Sequence, residues 1–278
     1  MAQRGGDEIF GVDERAETAL LDAMQREVGT QWPGSMVLEG FDEPVAVGAA
    51  GGVWRYLVDP VDGSRPWVAG KRSAWVLLGA GRDARTLADL EVSVCVELPT
   101  ARAAMGMVAC AVRGDGPPVV VDDVLVGDEP PRPVSLTPST RTDLARGFVT
   151  VARFAPGGKA ALGAWEDELL AGLETYEDPY LCSGGQLIEL AAGRELAVLD
   201  PRPLVAGEFG AHPYDLAGWL VAEAAGVIVE ALPSGPLDYP LDTTTPCAWA
   251  AYANETIATE LRLRLRRATL ARGGRGSR

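Results

Sequence analysis

The segment Leu57-Val-Asp-Pro-Val-Asp-Gly-Ser64 carries the densest chemical signal in this 278-residue chain. It leaves a short apolar strand, Trp54 to Val58, and sets two carboxylates three residues apart before a glycine. Pro60 is expected to halt strand pairing, which turns Asp59 and Asp62 toward one point. The carbonyl of Val61, released from a ladder, becomes a further oxygen donor. Gly63 allows the backbone to approach a ligand closely, and the N–H groups of Gly63 and Ser64 open a helix aimed at an anion. Such a segment suits a hard cation beside a phosphate. Asp, Pro and Gly also favour a plain turn with solvated aspartates, so the segment alone leaves both readings open.

Two further acids follow the same logic. Glu39 ends an apolar strand, Met36 to Leu38, twenty residues before Asp59. Asp215 stands in Ala211-His-Pro-Tyr-Asp-Leu-Ala-Gly218, at the start of an apolar helix expected over Asp215 to Ala225. Its alternative role is an ordinary helix cap.

Together, SMVLEG (35–40), LVDPVDGS (57–64) and HPYDLAGWLVAEAAGVIVE (212–230) resemble the inositol monophosphatase family. That family shows an apolar strand ending in Glu-Glu, then DPxDGT, then WDxAAG followed by EAGG. Ala191-Ala-Gly-Arg194 and Ser234-Gly-Pro-Leu-Asp238 are similar to further family segments, and the resemblance spans about Gly11 to Leu261. It implies an α+β fold, a layered α/β/α/β/α sandwich of the inositol monophosphatase and fructose-1,6-bisphosphatase type. It also implies a metal-dependent phosphoric monoester hydrolase acting on a small polyol, sugar or nucleotide phosphate.

By the same resemblance, Glu39, Asp59, Asp62 and Asp215 with the Val61 carbonyl hold two or three Mg2+ ions, Mn2+ being the other candidate. Glu39 and the Ser64 hydroxyl orient an attacking water, and Asp13 is a candidate partner of Ser64 as well as a helix cap. Asp62, Gly63, Ser64, Ser183 and Glu208 are the candidate substrate contacts, Glu208 being equally a solvated side chain. A structural hydrogen bond is the expected role of His212. Several positions depart from the family. Gly40 replaces the second Glu of the pair, Ser64 the usual Thr and Tyr214 the Trp, while Arg65-Pro66-Trp67 and Leu181-Cys-Ser-Gly-Gly185 alter the substrate wall. These departures motivate the alternative of a family member that binds a phosphorylated ligand or partner without turnover. The resemblance begins after the family's first helix, so the family's usual homodimer is an open expectation.

Composition narrows the rest. Apolar residues make up 47% and charged residues 23%, which supports a sizeable core. The net charge is −14, and residues 262–278 hold seven arginines and no acid, leaving 18 basic against 39 acidic residues elsewhere. An acidic body argues against nucleic acid as a partner. The apolar runs are too short for a bilayer and the N-terminus lacks a signal core, so a soluble, cytoplasmic protein is expected without a membrane partner. A single histidine, His212, excludes two-histidine zinc sites, and the scattered Cys95, Cys110, Cys182 and Cys247 read as buried thiols. Gly79-Ala-Gly81 lacks the third glycine and the helix start of a dinucleotide motif.

The proline-rich stretch Pro130 to Pro138 divides the chain into an N-terminal α+β half (1–138), an α/β half (139–261) and a basic, disordered tail (262–278). Helices are expected over Asp13–Val28, Trp165–Gly172, Gln186–Ala192 and Trp249–Arg266. Strands are expected over Ala74–Leu78, Glu91–Leu98, Ala103–Val112, Val119–Val126, Gly147–Val151, Leu196–Leu199 and Val227–Val229.

Overall fold

The computed structural model describes residues 2–4, 7–9, 11–124, 129–207 and 209–273. The side chain of Asp13 and the whole of Glu208 lie outside the described residues. A hairpin, β1 (Ala2–Arg4) and β2 (Asp7–Ile9), precedes α1 (Gly11–Ala23), which continues as a π-helical turn to Val28. Next come β3 (Gly34–Leu38), β4 (Val45–Val47), β5 (Trp54–Asp62), the short helix α2 (Ser64–Val68) and β6 (Ala74–Arg82). β7 (Val92–Leu98), β8 (Met105–Val112), β9 (Val119–Val124) and β10 (Arg132–Val134) follow. The remainder holds β11 (Val149–Val151), α3 (Lys159–Leu169), α4 (Ser183–Ala191), β12 (Ala197–Asp200) and α5 (Arg202–Val205). It closes with α6 (Trp219–Ala225), β13 (Ile228–Ala231), β14 (Trp249–Tyr252) and α7 (Glu255–Gly273).

Eight strands form one sheet in the order β10-β9-β8-β7-β6-β5-β3-β4, antiparallel except where β3 runs parallel to β5. Four form a second sheet, β11-β12-β14-β13. Side-chain alternation sorts residues between layers. Leu57 and Leu77 join the core with Leu187 and Leu220 of α4 and α6, while Tyr56, Val58 and Ala80 face Met24 beyond α1. In the second sheet Val198, Trp249 and Ala251 face the same central helices, and Leu199, Ala250 and Tyr252 face Ile257 and Leu261 of α7. α3 packs on α7. The order is therefore α1, large sheet, α4 with α6, small sheet, and α3 with α7, which is the expected five-layered α+β sandwich. Each leucine fully buried between these layers contributes about 1.5–3 kcal/mol.

Several expectations need correction. β5 does not stop at Pro60 but reaches Asp62 through an irregularity in its pairing with β6. The helix expected at Trp165–Gly172 starts six residues earlier, after Gly158, and its buried stripe is Leu162, Trp165 and Leu169. α4 likewise begins early, at Ser183, because the Cys182 sulfur accepts the Gly185 N–H and caps it. The helix expected from Asp215 is two pieces, a 3-10 turn over Pro213–Leu216 and α6. Its first turn is closed by His212, with Asp215 as the third residue of a capping box and not the cap.

Trp249–Tyr252 is a strand, buried between β12 and β13, and the final helix begins only after Asn254, whose Oδ1 accepts the Ile257 N–H. Alanine-rich sequence favours helix locally, but burial on both faces decides for the strand here. The tail is not disordered from residue 262: α7 runs to Gly273, and Arg262 forks onto the Glu230 carboxylate. Residues 274–278 lie outside the described residues. The proline-rich stretch itself contains β10, still part of the large sheet.

Candidate metal and phosphate site

The parallel pairing of β3 and β5 sets Leu38 opposite Val58. The Glu39 N–H donates to the Val58 carbonyl (3.1 Å), so Glu39 and Asp59 leave neighbouring strands side by side. Past Asp59 the register slips. Asp59 pairs with Leu77 and Asp62 with Trp75, so two residues, Pro60 and Val61, face Val76 alone. A bulge of this kind accommodates a proline that has no N–H to give. The Val61 N–H donates to the Asp59 carboxylate (2.9 Å).

Asp62 is fixed from across the molecule. Its carboxylate accepts the Gly184 N–H at the start of α4 (2.6 Å), and the Cys182 thiol donates to its carbonyl (3.3 Å). Gly63 then turns the chain with φ at +86°, where a Cβ would sit 2.8 Å from the Cys182 Cβ. Only glycine satisfies both demands. Asp215 arrives on the 3-10 turn that packs against β5 and β6. It accepts the His212 N–H (2.6 Å), and the His212 ring stacks on Tyr214, with its Nδ1 3.1 Å from the Tyr214 hydroxyl.

Carboxylate oxygens of Asp59, Asp62 and Asp215 lie within 4.8 Å of one another. Asp59 and Asp62 are buried. Glu39 stands next to this triad, hydrogen-bonded to Asp59 and lining the same cavity. Burial pushes the Asp59 carboxyl well above the usual range, and the charges of Glu39, Asp62 and Asp215 add to the effect. Asp62 is pushed up to about 8, chiefly by burial and then by Asp215, against the stabilising N–H groups of Gly184 and Ser183. Buried carboxylates that raise one another in this way fit a divalent cation, which would remove the repulsion. The oxygen-only donor set suits Mg2+ or Mn2+.

These acids line a cavity of about 600 Å3. Val61, Gly63, Ser64 and the largely buried Ser183 also line it. Gly40 does not line it. Its φ is +82°, and a Cβ there would meet the Glu17 carboxylate at 3.2 Å. A buried acid from α1 thus lies beside the position where the family shows its second Glu. All four cysteines are free, and burial pushes the Cys95, Cys182 and Cys247 thiols up, so they stay protonated.

A further part of the lining was not anticipated from sequence. It carries Arg153, Phe154, Lys159, Asp200, Arg202 and Phe209. Asp200 left a usable signal, because Ala197-Val-Leu-Asp200-Pro201 repeats the pattern of apolar strand, acid and proline seen at Asp59. Its carboxylate is taken up by Arg202 in two bonds (2.7 and 2.6 Å).

No family model and no curated protein matches the chain. Solved structures do match. The extragenic suppressor protein SuhB of Bartonella henselae aligns with a TM-score of 0.68 at 17% identity, over 95% of this chain and 88% of that one. An inositol monophosphatase from Anabaena gives 0.62 at 17% identity, over 93% and 86%. A fructose-1,6-bisphosphatase from Leishmania major gives 0.72 at 13% identity, over 96% and 85%.

Proposed function

On the premise of a fold shared with these phosphatase structures, we propose that the chain is a Mg2+-dependent phosphomonoesterase for a small phosphorylated substrate. The observation that carries the reading is the convergence of Asp59, Asp62 and Asp215, from segments more than 150 residues apart, in the lining of one open cavity. These three carboxylates, with Glu39 and the Val61 carbonyl beside them, would hold the cations. Divalent cations bound there supply an acidified water and neutralise charge on the ester oxygens.

The chain's own groups do the positioning. Glu39 is the proposed acceptor that orients the attacking water, with the Ser64 hydroxyl as its companion. The N–H groups of Gly63 and Ser64, at the turn into α2, are the proposed donors to phosphoryl oxygens. Ser183 and Gly184 hold Asp62 in place from α4. Asp13 and Glu208 stay proposals from the resemblance alone.

Phosphate release from a panel of sugar, polyol and nucleotide monophosphates tests the reading. Activity is expected to require Mg2+ and to fall about 10²–10³-fold in Asp59→Asn and Asp62→Asn variants that remain folded. An undiminished rate in either variant would refute it. Calorimetric Mg2+ binding without release of phosphate from any ester would favour a ligand-binding role instead.

A further inference from the structure

Part of the lining of the cavity that holds the acids is built around two phenyl rings. Phe154 and Phe209 meet edge to face, with ring centroids 5.5 Å apart and planes at 64°. They are 37% and 38% exposed, and Leu181, which also lines the cavity, is 44% exposed. Apolar surface left to water within a concavity is surface that a ligand can cover.

Both rings are tied to Arg202, which lines the same cavity. Arg202 lies over the Phe209 ring, 5.5 Å from its centroid, and donates to the Phe154 carbonyl (3.3 Å). Asp200, 1% exposed, fixes that guanidinium with its fork of bonds. One buried ion pair therefore joins two segments 55 residues apart into a single rigid face.

The same pairing changes what the wall can recognise. A polyol is held by acceptors for its hydroxyls, but both Asp200 oxygens are taken, Oδ1 and Oδ2 by Arg202 and Oδ2 also by the Ala211 N–H (3.3 Å). A flat conjugated ring needs no such acceptor. It gains from edge or face contact with the phenyl pair, and every aromatic or heteroaromatic ring offers a π-face for it.

We propose that the substrate's leaving group carries a planar conjugated ring that packs on Phe154 and Phe209, so that the preferred esters are phosphates of ring-bearing alcohols such as nucleosides. The inference rests on the phosphomonoesterase reading of the acidic cluster.

Phosphate release with Mg2+ is compared for adenosine 5′- and 3′-monophosphate against glycerol 2-phosphate and glucose 6-phosphate. At least one nucleoside ester is expected to exceed both ring-free esters in kcat/KM by about tenfold or more. Phe209→Ala is expected to cut that preference about tenfold, chiefly through KM, while Phe209→Trp retains it. A preference for the ring-free esters, or one that survives in a Phe154→Ala/Phe209→Ala double variant, overturns the proposal. Should the wild type release phosphate from no ester, the phosphomonoesterase reading fails by itself. The ring site is then read by calorimetry with adenosine 5′-monophosphate and Mg2+. Binding that Phe209→Ala weakens about tenfold supports it, and absence of binding overturns it.

Discussion

Glu195 is 5% exposed, and its Oε2 has no hydrogen-bond partner among the described residues. Burial pushes its carboxyl up to about 8, with the charges of Glu189 and Asp178 adding to the shift and Arg72 opposing it. The folded protein therefore holds a proton that the unfolded chain releases near pH 4.5. Between those two values the folded state binds more protons, so this residue lowers stability as pH rises from about 4.5 to 8. Glu195→Gln is expected to flatten that decline and to raise stability at pH 9 by about 1–3 kcal/mol, read from urea unfolding along a pH series. A parallel pH profile in the variant would contradict the assignment. Single acids of this kind are hard to read from sequence. Glu39, Asp59 and Asp215 stood out because the segments around them form a motif set, whereas Glu195 borders the apolar run Leu196–Leu199 with no motif to mark it.

Among the elements, strands with clean alternation matched expectation closely, as at Val92–Leu98, because a half-buried sheet imposes period two. The misread elements are those whose burial is set by partners distant in sequence. Trp249–Tyr252 has helix-favouring alanines but four buried positions in a row, a demand made by β12 and β13. The candidate site divides in the same way. Its acids lie in motifs, while Phe154, Lys159 and Phe209 lie in connections and at a helix start, with no periodicity to mark them. The tightest local demand is at the turn into α2. Gly63→Ala places a Cβ against Cys182 in a left-handed backbone conformation, and a loss of about 1–3 kcal/mol is expected in thermal or chemical unfolding. Wild-type stability in that variant would show that α4 yields freely at this contact.

At the scale of the molecule, the acids join the large sheet to the turn that precedes α6. A ligand that binds only the assembled triad stabilises the whole chain by mass action. Mg2+ at a hundred times its Kd adds about 2.7 kcal/mol, or roughly 5–10 °C in Tm for a chain of this size. Thermal melts along a Mg2+ titration test this, and the increment is expected to vanish in Asp59→Asn. A Tm indifferent to Mg2+ in the wild type counts against cation binding at the triad. No described helix is long and apolar enough to cross a membrane.

The extra residue in β5 has a further consequence, one of parity. In an unbroken strand an odd separation sends two side chains to opposite faces, so Asp59 and Asp62 would be divided between the two sides of the sheet. Counting one more residue against Val76 restores the match and brings both acids to the same side. Shortening the chain by either Pro60 or Val61 would leave an unbroken strand with a separation of two, which keeps both acids on one side. One further inserted residue would instead reverse the frame and aim Asp62 toward α1. The centre therefore tolerates the loss of a residue here more readily than the gain of one, because only the gain divides the two acids between the faces of the sheet.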